Sequence, residues 1–281
     1  MKNAMQLKSK IKSLSTAWGI PAQAVLQTYF TERLLARIAA SKHQPNFVFK
    51  GGFLISSIIG NESRSTMDLD ATLQGAVLSE DILRTMFDGI TSINQNDGIT
   101  YEVIGVTEIR EDDAYSGFRV SLTADYETIT QPFHVDITTG DAITPCAINY
   151  MHQPLFDERA IGLLAYPLET IFSEKIEGIL RRVDQNTRLR DYYDVHILLR
   201  QRKADIRPEV LRDAIVATAR KNGRMQILDS IPERLEIISA SSALRRYWSI
   251  YQAEYSYASG IDFDSVLASL AEVLQIAKLS R

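Results

Sequence analysis

The stretch FKGGFLISSIIGNESRSTMDLDATL, residues 49–73, sets Asp68 and Asp70 one residue apart among apolar neighbours, sixteen positions after a Gly-Gly pair. Thr66 to Leu73 has the composition of a β-strand. Side chains alternate across a strand, so Met67, Leu69 and Ala71 are expected on one face and Asp68 and Asp70 on the other. Two carboxylates held that close repel each other, and one takes up a proton unless a cation sits beside them. A hard divalent ion, Mg²⁺ or alternatively Mn²⁺, supplies that charge and keeps open positions for phosphate oxygens.

A third acid has the same setting. In PFHVDITTGD, residues 132–141, Phe133, Val135 and Ile137 share one face and leave Asp136 on the other. Two acids from one strand and one from another suit a two-ion phosphoryl-transfer site, so Asp68, Asp70 and Asp136 are the candidate metal ligands and catalytic acids. They are expected to converge, and a cation seated on one of them would count against that arrangement. Asp-x-Asp alone also describes ordinary solvent-facing strand positions. A second copy, IDFDS at 261–265, shows this, since Asp264 there suits the cap of the final helix.

The residues upstream separate the two cases. Gly51 and Gly52 lie between a strand candidate, Asn46 to Lys50, and a short helix candidate, Phe53 to Ile59. Glycine lets backbone N–H groups and a helix N-terminus come close to an anion. Arg64, Ser65 and Thr66 add phosphate donors just ahead of the acids.

This pattern, Lys50-Gly51-Gly52, Arg64, Ser65 or Thr66, Asp68 and Asp70, resembles the polymerase-β-like nucleotidyltransferases and, more closely, the AbiEii/AbiGii toxin family. The resemblance implies an α+β fold, with a mixed sheet flanked by helices followed by a helical C-terminal domain. Where the wider superfamily has Gly-Ser this chain has Gly-Gly, which removes a hydroxyl from the expected γ-phosphate contact, although the narrower family normally carries Gly-Gly.

Hydrophobic periodicity divides the chain in the same way. Helices over 3–41 and 80–90 and strands over 101–109, 118–124 and 132–138 make an α/β part spanning 1–165, and 166–281 has helical period almost throughout. In PLETIFSEKIEGILRR, Ile171, Lys175 and Ile179 fall on one helix face. In RLRDYYDVHILL, Asp191 and Asp194 share a stripe with Val195 and Leu198, and buried carboxylates need a partner. Lys175 and Arg190 are the available cations. The resemblance implies that Lys175, with Asp191 or Asp194, contributes to catalysis, Asp194 being the deeper of the two, and that Arg190 joins the nucleotide-binding residues. A structural ion pair between two helices is the alternative, as is a lysine whose stem alone is buried. Of Tyr192 and Tyr193, at least one belongs in the core and the other could stack on a base.

Composition narrows the function classes. With 45% hydrophobic and 23% charged residues, the chain can bury a sizeable core. Cys146 is its single cysteine, and His43, His134, His152 and His196 show no zinc spacing, which excludes a cysteine-clustered metal site. No apolar run approaches the roughly 18 residues of a membrane span, and the polar, basic N-terminus lacks a signal core. A cytoplasmic protein without a membrane partner is therefore expected. The net charge is −4, yet Arg181 to Arg224 holds 12 Lys and Arg against 6 Asp and Glu. That segment suits either a polyanion or solvated helix faces. The resemblance implies a toxin of a toxin–antitoxin or phage-defence pair, with a cognate antitoxin, an NTP substrate and an RNA acceptor, tRNA. Transfer to a protein or to a small cationic molecule such as an aminoglycoside, a non-catalytic nucleotide- or RNA-binding module, and a phosphohydrolase remain as rivals.

Overall fold

The computed structural model describes residues 1–60, 62, 64, 66–110 and 116–279. They form two compact units, one of residues 1–140 and 148–165, the other of residues 141–147 and 166–281.

In the first unit, α1 (Ala4–Trp18) begins where the Asn3 side chain accepts the Gln6 amide, and α2 (Ala22–Ala40) follows. Val25, Tyr29, Leu34, Leu35 and Ile38 are buried along α2, as their helical spacing requires. The remaining elements are β1 (Phe47–Lys50), α3 (Gly51–Ile59), β2 (Leu69–Leu73), α4 (Glu80–Thr91), β3 (Thr100–Arg110), β4 (Ser116–Tyr126), β5 (Ile129–Thr139), β6 (Ile148–His152) and β7 (Ile161–Ala165). Ser79 starts α4 by accepting the Ile82 amide. The strands make one mixed seven-stranded sheet, ordered β3-β4-β5-β2-β1-β7-β6, as expected for a polymerase-β-like domain. On its core face Phe49, Leu69, Ala71, Val120, Val135 and Ile137 pack into a cluster that includes Leu7, Phe30, Leu34 and Phe87 from the helices. Arg37 ties α2 to the strand beyond: its guanidinium forks onto Asp97 at 2.8 and 2.9 Å, donates to the Ile99 carbonyl and lies over the Tyr101 ring.

Two expectations change here. The strand carrying Asp70 begins at Leu69 rather than Thr66. Met67 is exposed instead of joining Leu69 and Ala71, and its carbonyl is held by the Gln27 side chain. The second change is the addition of β6 and β7, which alternation did not reveal.

Glu32 of α2 is fully buried, and its carboxylate faces His152 Nε2 at 3.2 Å and the Leu155 amide at 3.0 Å. Burial pushes its pKa above the ordinary 4.5, and His152 and Leu155 pull it only partly back. A carboxyl whose pKa rises on folding holds its proton more tightly in the folded chain. Its contribution is complete below pH 4.5 and is lost as pH climbs through the raised value. Urea midpoints should therefore fall more steeply with pH in the wild type than in Glu32→Gln, starting from about pH 4.5. Parallel pH profiles would refute this assignment.

The second unit contains α5 (Leu168–Arg182), α6 (Leu189–Arg202), α7 (Pro208–Lys221), α8 (Gln226–Asp229), α9 (Ile231–Ala240), α10 (Ser242–Glu254) and α11 (Phe263–Ile276). The cap of α11 is Asp262, which accepts the Ser265 amide, and not Asp264, which pairs with Arg245.

Candidate active site

Strand register brings the first-unit residues together. Lys50 on β1 stands opposite Asp70 on β2, Asp70 opposite Asp136 on β5, and Asp136 opposite Arg119 on β4. Residues directly opposite each other share a sheet face with Cβ atoms about 5 Å apart. The row therefore reads cation, carboxylate, carboxylate, cation. Lys50 Nζ donates to Thr138 Oγ1 at 2.8 Å. Arg119 donates through Nε and Nη2 to both oxygens of Asp136, at 2.8 and 2.7 Å. This pairing with Asp136, strengthened by Asp68 and Asp70, holds the Arg119 pKa above its ordinary value despite some desolvation.

The two glycines make room for this arrangement. Gly51 has φ +66°, and a Cβ there would lie 2.1 Å from Asp70 Oδ2. A Cβ on Gly52 would lie 2.6 Å from Thr66 Oγ1 and 2.7 Å from Arg64 Nη1. Arg64 is buried, donates to the Gly52 carbonyl at 2.9 Å, and has its own carbonyl held by the Ser56 hydroxyl. Thr66 Oγ1 accepts the Asp68 amide at 3.3 Å. Ser65 lies outside the described residues.

Asp68 precedes β2, its side chain is 57% exposed, and its Oδ1 is 3.5 Å from His134 Nε2. Asp68, Asp70 and Asp136 all act on the one Arg119 guanidinium, while only Asp70 and Asp136 are directly paired in the sheet. Asp70 and Asp136 are neighbours, Asp136 is forked by Arg119, and among the described residues no group of three or more Asp, Glu, His or Cys is placed to hold a metal ion. Because β2 starts late, Asp68 is not locked into the row by strand pairing.

The second unit gathers its own charges. Lys175 Nζ on α5 lies 2.7 Å from Asp191 Oδ1 and 3.0 Å from Asp194 Oδ2 on α6. Asp194 is the deeper carboxylate, at 0% exposure against 6% for Asp191. Arg188 approaches the other Asp191 oxygen at 3.6 Å. Arg190 turns to the aromatic cluster, its guanidinium over the Tyr255 ring and Nη2 donating to the Tyr255 hydroxyl at 3.4 Å. Tyr192 and Tyr193 are both buried, against the rings of Phe263 and Tyr257, so neither presents a stacking face. Several cations of the basic segment meet acids outside it: Lys203 with Glu272, Arg207 with Glu169, Lys221 with Asp141 and Arg224 with Glu177.

Residues 33–269 match the model of the nucleotidyl transferase AbiEii toxin family, described as belonging to type IV toxin–antitoxin systems. The chain belongs to the AbiEii family. It is a nucleotidyltransferase, and the family takes an NTP as substrate. No curated protein matches it significantly. Two solved structures share its fold. One is a candidate nucleotidyltransferase from H. pylori, 14% identical, with TM-score 0.53 over 92% of this chain and 96% of that one. The other is JHP933 from Helicobacter pylori, 15% identical, with TM-score 0.54 over 91% and 92%. Among the described residues no helix is long and apolar enough to cross a membrane.

An AbiEii nucleotidyltransferase usually draws on a divalent ion. The oxygens of Asp68 and Asp70 suit a hard cation, and the absent Cβ of Gly51 leaves the Asp70 carboxylate its space. Arg119 was not legible beforehand. In FRVSL it reads as any outward strand residue, and only the β4–β5 register gives it a carboxylate.

Proposed function

We propose that this AbiEii-family toxin transfers an NMP group from an NTP to a hydroxyl of tRNA, with Mg²⁺ as the ion. The observation that carries the reading is the facing pair Asp70 and Asp136 in one row with Lys50 and Arg119, beside the glycine-opened start of α3. Backbone N–H groups at Gly51 and Gly52 and the cation of Lys50 bind phosphate oxygens. The Thr66 hydroxyl, which lies 2.6 Å from where a Gly52 Cβ would sit and so occupies that space, takes over the contact that the wider superfamily gives to serine. When bound at Asp68 and Asp70, Mg²⁺ supplies the positive charge that offsets negative charge gathering on the phosphoryl group. Lys175 serves as a further catalytic cation, with Asp191 and Asp194 holding its ammonium. The tRNA acceptor is supported by Arg188, Arg200, Arg212 and Arg220, all exposed in the second unit and suited to phosphate contacts. A cognate antitoxin completes the pair and the role in phage defence.

The test is incubation of the purified protein with Mg²⁺, α-labelled NTPs and total RNA. Label should enter the tRNA fraction and vanish with Asp70→Asn. Label on protein or on small cationic compounds would remove the tRNA acceptor and keep the enzyme. Absence of transfer to any acceptor, with NTP still bound, would favour a binding module.

A further inference from the structure

The arginines where α5 ends and α6 begins gather positive charge around one carboxylate, which bears on how the acceptor is held, an inference that rests on the nucleotidyl-transfer reading above. Asp191 Oδ1 takes the Lys175 ammonium at 2.7 Å, and Arg188 Nε lies 3.6 Å from its Oδ2. Another cation reaches the same oxygen's surroundings across Gly178 of α5. A Cβ on that glycine would lie 3.0 Å from Arg182 Nη1 and 3.8 Å from Asp191 Oδ2, so both atoms share the bare stretch of helix. Arg182 Nη1 donates to the Gly178 carbonyl at 3.2 Å. Arg181 adjoins it, its Nε sealed from solvent without a hydrogen-bond partner.

Among the described residues neither Arg181 nor Arg182 forms an ion pair. Glu177, the other acid that acts on Arg182, is already held by Arg224 at 3.0 Å. Burial, and then the charges of Arg181 and Arg188, lower the Arg182 pKa against the opposing pull of Asp191 and Glu177. The guanidinium stays charged all the same, in a setting that an added anion would improve. Helix energetics do not explain the cluster. Basic residues in the last turn of α5 complement its dipole, but Arg188 immediately precedes the first turn of α6, where the dipole disfavours a cation.

We infer that Arg181, Arg182 and Arg188 form a phosphate-binding site that takes a backbone phosphodiester of the RNA acceptor. Guanidinium groups suit phosphate oxygens, which they can hold bidentately. Arg188 is 61% exposed and so open to a large ligand. The cluster lacks the glycine-opened backbone that serves the triphosphate at Gly51 and Gly52. It stands instead in the same unit as the exposed Arg200, Arg212 and Arg220, and several separate cations suit a chain of phosphates.

The test is fluorescence anisotropy of labelled bulk tRNA with the full-length chain across a KCl series, alongside calorimetric titration of an α,β-methylene NTP. Arg182→Gln and Arg188→Gln should each flatten the slope of log affinity against log salt by about 1, the mark of one lost phosphate contact. Arg188→Lys, which keeps the charge, should keep the slope, and NTP affinity should not change in any of these variants. Arg84→Gln, an exposed arginine of α4 in the first unit, should match the wild type. Unchanged slopes in both glutamine variants would overturn the inference, and label still passing to tRNA would show nucleotidyl transfer intact. Equal flattening in Arg84→Gln would overturn it too, as bulk charge rather than a site. Weakened NTP binding with unchanged tRNA slopes would assign the phosphate to the nucleotide and remove the RNA. Wild-type slopes as expected without any NMP transfer would keep the phosphate site and remove the transfer reading. The exposed Arg188 side chain keeps the test valid where Arg182→Gln disturbs α5.

Discussion

Gly51→Ala should lower nucleotidyl transfer by about 100-fold, since a displacement of roughly 1 Å in a reacting group can cost that much. The methyl group would sit 2.1 Å from Asp70 Oδ2 and 2.8 Å from its Cγ, so the carboxylate must leave its place opposite Lys50 and Asp136. The backbone adds its own penalty. At φ +66° an alanine is strained by roughly 1–2 kcal/mol, which urea unfolding would register. Gly52→Ser, which restores the superfamily's residue, should also impair transfer, because Thr66 Oγ1 and Arg64 Nη1 occupy the space the new side chain needs. Gly89→Ala provides the control. It lies within α4 with open space around its missing Cβ, so activity should be unchanged and stability equal or higher by about 0.5–1 kcal/mol. Steady-state transfer rates of the three variants decide the matter. Gly51→Ala working within a few-fold of wild type would show that Asp70 is not the group whose position matters.

The glycines and acids of this site were legible because they are constrained locally. A Gly-Gly between strand and helix, and acids alternating with apolar residues, leave their mark over a few positions. Strand pairing leaves no such mark. Arg119 acquires its partner only when β4 and β5 align Arg119 with Asp136, and any one-residue slip would send it to the core face. The strands β6 and β7 were missed for related reasons. β6 is an edge strand with Asn149 and Met151 exposed, so no alternation marks it, and IGLLA in β7 is too short and too uniformly apolar to show a period. Asp68 fell outside the row because alternation cannot say where pairing begins. The basic segment misled in a different way, since charge counted along the chain omits acids that fold brings to it. Glu169, Asp141 and Glu272 lie outside residues 181–224 and each holds one of its cations.

Lys175→Met should destabilise the protein by about 3–5 kcal/mol, the range for breaking a buried ion pair by removing one partner. Methionine keeps most of the stem's packing, so the loss isolates the charge. Two carboxylates three residues apart on α6 would face the gap, one of them with no exposure at all. Arg188, itself 61% exposed, lies 3.6 Å from Asp191, and Asp194, with no exposure, is the deeper of the two carboxylates and the costlier one to leave without the Lys175 ammonium. Adding Asp194→Asn to Lys175→Met should therefore recover most of the loss, whereas adding Asp191→Asn should recover less. Urea midpoints of the four proteins form the measurement. A Lys175→Met loss below about 1 kcal/mol, the level of an exposed pair, would show that the triplet is solvated. The rescued double variant then separates folding from chemistry. Stable and still inactive in NTP transfer, it would assign the Lys175 ammonium to the reaction; stable and active, it would leave the triplet as a clamp between α5 and α6.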